Sequence, residues 1–201
     1  MRGRIASVAL LIVFLAGAAP VLAQDVPMVP AIGIKAGVNL SNFQVQGTST
    51  SKRTGFVGGA YARFPMSPIW GFELDILYSQ KGFTKSSYES ITNWEMKSSY
   101  LEFPITARLD IPAGSVPPYI FGGFSAGVLL GAEEQYDGSN GWQDTSDVFQ
   151  SVNWTFVFGV GISWNHFQLE GRFNQGLSEL TTSDYRSGVK DRTFSFTLGY
   201  D

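Results

Sequence analysis

From residue 31 onward, bulky apolar residues alternate with small or polar ones at every second position, which is the period of a β-strand and not of a helix. The sixth such run is the clearest. Trp154, Phe156, Phe158, Val160, Ile162 and Trp164 share one parity, and Thr155, Val157, Gly159, Gly161 and Ser163 share the other. In the third run Trp70, Phe72, Leu74, Ile76 and Tyr78 oppose Gly71, Glu73, Asp75, Leu77 and Ser79; in the eighth Phe194, Phe196, Leu198 and Tyr200 oppose Ser195, Thr197 and Gly199. The pattern predicts eight strands: approximately Ala31 to Phe43, Thr54 to Phe64, Trp70 to Phe83, Glu95 to Asp110, Pro118 to Ala132, Val152 to Asn165, His166 to Gly176, and Asp191 to Tyr200. The second and fifth are glycine-rich, and parity does not orient them.

The links between these runs alternate in length. Pro65 to Ile69, Ile111 to Pro117 and the Asn165-His166 junction are short, whereas Gln44 to Arg53, Thr84 to Trp94, Glu133 to Ser151 and Leu177 to Lys190 are longer and polar. Tight turns at one end and long polar loops at the other describe an outer-membrane barrel with periplasmic turns and extracellular loops, and an even strand number puts both chain ends in the periplasm.

Parity also segregates charge. Lys35, Glu73, Asp75, Glu102, Arg108, Glu170 and Arg172 fall opposite the apolar face, joined by Arg63 if the second strand follows suit. An Arg or Lys facing lipid at mid-depth costs about 2–4 kcal/mol, so a membrane barrel must turn this set into its lumen. The interior of an eight-stranded barrel is filled by side chains, so the charges would have to pair there. A soluble barrel or sandwich shows the same alternation with the apolar face inward. Long strands, unequal turns and aromatics near strand ends favour the membrane form, with Trp70, Tyr78, Tyr119, Trp154, Trp164 and Tyr200 as the interfacial girdle.

The first 23 residues read differently. Arg2 and Arg4 precede an apolar run from Ile5 to Leu15, and Val21-Leu22-Ala23 offers small residues at a cleavage site, so residues 1–23 are expected to be a secretory signal peptide. An uncleaved anchor is the competing reading. Residues 24–30 then form a short periplasmic segment and 31–201 a single barrel domain. The chain has no cysteine, which excludes a lipobox and disulfides. A net charge of −3 offers no basic stripe for nucleic acid. Charged residues make up only 15% of the sequence, below the roughly 25% of soluble domains, as suits a surface partly facing lipid.

Several segments carry a family likeness. Gly33-Ile34-Lys35-Ala36-Gly37-Val38-Asn39-Leu40-Ser41-Asn42, Thr54-Gly55-Phe56, Glu73-Leu74-Asp75-Ile76-Leu77-Tyr78-Ser79-Gln80-Lys81-Gly82, Tyr100-Leu101-Glu102-Phe103-Pro104-Ile105 and Pro118-Tyr119-Ile120-Phe121-Gly122-Gly123 occur in this order over nearly the whole mature chain. Together they resemble the PorT-like outer-membrane β-barrel proteins of Bacteroidetes-type bacteria. The resemblance implies an eight-stranded outer-membrane barrel and no particular activity. One departure is that Asp201 follows Tyr200, where such barrels usually end on an aromatic residue read by the assembly machinery.

Catalytic chemistry has few candidates. His166 is the single histidine and falls in a short turn. Glu73 and Asp75 could form an acid–base pair, but a lumen network with Lys35, Arg63, Arg108 and Arg172 accounts for them better. Glu133, Glu134, Asp137, Asp144 and Asp147 make one loop acidic without calcium-loop spacing, and a solvated, mobile loop is expected. The expectation is therefore an all-β, single eight-stranded antiparallel up-and-down transmembrane barrel with a structural or interaction role and four long extracellular loops. It needs no catalytic site, cofactor or metal. Its partners are outer-membrane lipid, the barrel-assembly machinery and an unspecified extracellular or periplasmic protein. The alternatives are a small-ligand binding or transport barrel and a soluble periplasmic lipocalin-like barrel.

Overall fold

The computed structural model describes residues 29–44, 51–85, 94–137, 141–178 and 190–201. The expected signal peptide lies outside them. The strands are β1 (Ala31–Gln44), β2 (Ser51–Pro65), β3 (Trp70–Lys85), β4 (Trp94–Asp110), β5 (Pro118–Tyr136), the two-residue β6 (Gln143–Asp144), β7 (Val152–Trp164), β8 (Phe167–Gly176) and β9 (Lys190–Tyr200). All pairs are antiparallel and join neighbours in sequence, except that β5 pairs with β7 past the short β6, and β1 pairs with β9 from Ile34↔Tyr200 to Gln44↔Lys190. That pairing closes an eight-stranded barrel, with β6 added beside the far end of β5. Closure removes the open edges that a sheet of this length would otherwise expose.

Short turns lie at one end. Asn165 takes φ 52° between β7 and β8, a left-handed conformation that asparagine tolerates well.

The side-chain distribution is inverted relative to a water-soluble barrel. Ile32, Val160, Leu198, Phe196 and Trp154 are all more than half exposed on the outer wall, while Lys35, Asp75, Glu170, Thr193 and Asn39 are at most 3% exposed inside. A continuous apolar exterior of this kind needs hydrocarbon against it. The lipocalin-like alternative, which requires an apolar interior, is thereby overturned.

The two strands that parity left open are now oriented. Val57 and Tyr61 of β2 point inward, and so do Tyr119, Phe121 and Ser125 of β5. This corrects the girdle: Tyr119 is 1% exposed and lies in the lumen, not at the lipid interface. Its ring fits because β7 offers no side chain opposite it. A Cβ on Gly161 would sit 2.4 Å from Cζ of Tyr119, and one on Gly159 2.4 Å from Cζ of Phe121. The small inward face of β7 is thus the socket for the large inward face of β5.

At the long-loop end, β3, β4 and β5 stay paired out to Lys85↔Trp94 and Trp94↔Tyr136, well beyond the last β5–β7 pair at Val128↔Val152. Their inner faces gather Phe83, Met96, Tyr100, Leu129 and Ala132 into an apolar cluster with Phe149, flanked by Trp94. The segment after β5, expected to be a mobile acidic loop, is ordered where it is described. Glu133↔Asp144 and Glu134↔Gln143 pair as strands, Thr145 donates its N–H to the Ala132 carbonyl at 2.9 Å, and Phe149 is 4% exposed. Two forces hold it: backbone pairing and burial of the Phe149 ring, which is worth about 1.5–3 kcal/mol.

Candidate functional site

The site is the interior of the barrel, built by every second residue of each strand. Lys35 on β1 stands at its centre, with its ammonium 2.6 Å from Glu73, 3.2 Å from Glu170 and 3.3 Å from Asp75. Arg172 on β8 lies 2.9 Å from Asp75 and 3.3 Å from Glu170. Arg108 donates to Gln168 at 2.8 Å and to Asp110 at 2.6 Å, and its guanidinium stacks 3.5 Å from the centre of the Tyr119 ring. The Tyr119 hydroxyl donates to Glu170 at 3.0 Å, and Gln168 donates to the Tyr61 hydroxyl at 2.7 Å. The Glu73 Oε2 has no hydrogen-bond partner and lies 3.9 Å from Arg108 Nη1.

A second cluster lies nearer the long loops. Lys81 contacts Glu102 at 2.6 Å and Asp191 at 2.5 Å, and Thr193 donates to Asp191 at 2.7 Å. Between the two clusters runs a neutral layer in which Asn39 donates to Ser79 at 2.9 Å and accepts from Ser195 at 2.7 Å.

Of the charges assigned to the lumen from sequence, Lys35, Glu73, Asp75, Glu102, Arg108, Glu170 and Arg172 are all at most 6% exposed inside the barrel. Arg63 sits lower, at the periplasmic mouth, where it pairs with Asp201 at 2.6 Å. A pocket of about 250 Å³ opens beside this pair, with Arg108 and Gln168 among its lining residues. Sequence reasoning missed Lys81 and Asp191. The signal was present, because Lys81 continues the Glu73-Asp75 parity and Asp191 the Ser195-Thr197 parity, but both lie at strand ends next to loops.

The remaining aromatics fall on the outer wall. Trp70, Trp164 and Tyr200 lie at the short-turn end and are 41%, 57% and 51% exposed; Trp154, at the start of β7, is 52% exposed near the other end. Tyr78 is half-buried on the outer face of β3 and donates to or accepts from Ser99 at 3.0 Å.

The energetics of this interior favour specificity over raw stability. Pairing repays the desolvation of buried charges only in part, so each ion pair adds little net stability, but removing one partner costs about 3–5 kcal/mol. A one-residue slip of β1 would turn Lys35 from the lumen to lipid, so the network pins the register.

A polar lumen, an apolar exterior and antiparallel closure describe a membrane-spanning barrel, and comparison with known proteins places it more narrowly. The family model described as outer membrane protein beta-barrel domain matches residues 23–182. The chain belongs to this outer-membrane β-barrel family. Its members lie in the cell outer membrane, and so does this barrel. No curated protein matches the chain. Among solved structures, the attachment invasion locus protein Ail of Yersinia pestis is similar at 19% identity and a TM-score of 0.47, over 86% of this chain and 99% of that one. Neisserial surface protein A is similar at 14% identity and a TM-score of 0.49, over 86% and 99%. The outer membrane enzyme PagL is similar at 11% identity and a TM-score of 0.44, over 85% and 99%.

Within this family barrel, no group of three or more His, Cys, Asp or Glu able to hold a metal occurs among the described residues. His166 lies exposed in the turn between β7 and β8, its ring 5.9 Å from that of Tyr200. Glu73 and Asp75 are both ion-paired with Lys35, and Asp75 also with Arg172, inside the barrel.

Proposed function

We propose that this protein is a closed, non-conducting outer-membrane barrel that works through its extracellular rim, where four long polar loops engage a protein outside the cell. The observation that carries this reading is the filled lumen. Paired charges occupy the middle, and the apolar cluster around Phe83, Tyr100 and Phe149 stands above them, so the interior offers no route for a solute. Chemistry and transport inside the barrel are thereby disfavoured, and the long polar loops remain as the segments through which it would act.

The finer assignments belong to the same reading. The order of the Gly33–Asn42, Glu73–Gly82 and Pro118–Gly123 segments supports a PorT-like member. The Arg2-to-Ala23 pattern supports export by a signal peptide, and the outward Phe194, Phe196, Leu198 and Tyr200 of β9 support recognition by the barrel-assembly machinery. Trp70, Trp154, Trp164, Tyr200 and Tyr78 are read as the interfacial girdle toward lipid. Non-catalytic action is part of the proposal.

The test has two arms on the full chain. In planar bilayers the purified barrel should give no discrete conductance steps. Replacement of residues 86–93 or 179–189 by short Gly-Ser turns should leave heat-modifiable gel migration intact while abolishing adhesion of expressing cells to a surface coated with a defined extracellular protein. Regular ion-sized conductance, or adhesion unaffected by every loop replacement, would overturn the reading.

A further inference from the structure

On the outer wall of β3, β4 and β5, successive cross-strand rows change character toward the extracellular end. Tyr78 and Leu101 form one row; Gln80, Ser99 and Gly131 the next; and Lys97 with Glu133 the one above. Rows on one face stand about 6.6 Å apart, so the surface passes from apolar to neutral polar to charged within roughly 13 Å. That is the profile of a membrane edge, and a groove of about 360 Å³ is cut into the wall at this level. Its shape has a local cause: the register shifts between Ser99↔Gly131 and Tyr100↔Leu129, which leaves Leu130 as the extra, unpaired residue of a bulge.

Two cations border the groove. Arg53 reaches across β3 to Glu95, donating from Nε at 2.9 Å, with side-chain exposures of 19% and 41%. Its path runs over Gly82, where a Cβ would lie 3.0 Å from the Arg53 Cδ. That bond is made through Nε, and the Arg53 side chain lines the groove. Lys97 lies 2.7 Å from Glu133 and 4.0 Å from the centre of the Trp142 ring, at 38% exposure. The floor supplies the Gln80 amide and the Ser99 hydroxyl, and the lower lip is Tyr78 and the exposed Leu130.

We infer that this groove holds the phosphorylated sugar headgroup of an outer-leaflet glycolipid. The phosphates sit against Arg53 and Lys97, the sugar hydroxyls against Gln80 and Ser99, and the acyl chains descend over Tyr78 and Leu130. The inference rests on the outer-membrane location and is independent of what the loops bind. Phosphate matches the chemistry because a guanidinium fork and an ammonium are its usual partners and are stronger toward an anion than neutral donors. Lipid is the source because the groove opens directly above the apolar wall. The carboxylates of Glu95 and Glu133 hold both cations in place when the headgroup is absent and compete with it when it is present.

The full-length mature barrel, placed in phosphatidylcholine nanodiscs, is titrated with bisphosphorylated lipid A and with the same lipid stripped of phosphate, and bound lipid is counted by native mass spectrometry. The wild type should prefer the phosphorylated form by about tenfold or more. R53A/K97A should lose that preference, and E95Q/E133Q should raise it, because the competing carboxylates are gone. A structural role for these side chains does not produce opposite signs. Equal binding of the two lipids by wild type, or an unchanged preference in R53A/K97A, overturns the inference. Competition by the acyl-free diglucosamine bisphosphate as strong as by the lipid overturns the assignment to lipid in favour of a soluble sugar phosphate. Should R53A/K97A not refold, the wild-type comparison and E95Q/E133Q decide.

Discussion

Replacing Lys35 by methionine tests the central claim that the lumen is an electrostatic clamp. The ammonium is 3% exposed and serves three carboxylates on β3 and β8, at 2.6, 3.2 and 3.3 Å. Methionine keeps most of the volume, so the change removes charge and hydrogen bonds without opening a large void. What remains is Glu73, Asp75 and Glu170 facing Arg172 alone, with Arg108 3.9 Å from the far oxygen of Glu73. Leaving buried charge uncompensated costs about 3–5 kcal/mol, and protonation of one carboxyl moderates this, so a loss of about 3 kcal/mol is expected. Reversible urea unfolding in phospholipid vesicles, followed by tryptophan fluorescence, measures it. The companion variant K35M/E73Q removes charge of both signs and should recover at least about 1 kcal/mol, a coupling typical of direct neighbours. A K35M barrel within about 0.5 kcal/mol of wild type, the range of ordinary surface changes, would refute the clamp.

Other consequences follow from the same geometry. Gly161→Val should destabilise the barrel by about 1–3 kcal/mol because its side chain enters the Tyr119 ring, and Tyr119→Ala in the same chain should rescue part of that loss in the same urea assay. In single-tryptophan variants, Trp164 and Trp154 should be quenched by lipids brominated near the headgroup, whereas Trp142, which stands against Lys97 at the extracellular rim, should not; equal quenching of all three would refute their placement. Asp201→Ala and Arg63→Ala should each cost no more than about 1 kcal/mol, with a double-mutant coupling of that size, since the pair is partly exposed at the periplasmic mouth. Intact mass of the protein recovered from outer membranes should begin at Gln24; a mass that includes residues 1–23 would favour the uncleaved anchor.

How much of this was legible beforehand varies with the physics of each element. Strand positions were read to within a few residues because alternation has a period of two wherever one face meets lipid and the other does not. β7 shows the limiting case: Trp154 to Trp164 carries bulk on one parity and almost none on the other, so its direction could be assigned from a single strand. β5 defeats the same rule, since Tyr119 and Phe121 point inward while Ile120 and Phe124 point outward, and both faces are bulky. Only the neighbouring strand resolves it, because Gly159 and Gly161 leave the space that those inward rings fill.

The sequence by itself determined the strand class, the approximate strand limits, the alternation of short and long connections, and the segregation of charge to one parity. All of these are local, set by backbone period and by the cost of facing a charge to lipid. The tertiary structure decided which charges meet. Lys81 and Asp191 are 110 residues apart and become partners only because β1 pairs with β9 and closes the ring, and Lys35 reaches Glu170 for the same reason. Closure also decided that the apolar parity faces out, that Tyr119 leaves the girdle for the lumen, and that Phe149 folds back over the extracellular end. Period and composition are properties of a segment, but partnership across a lumen is a property of the closed circuit of strands, and no segment carries it alone.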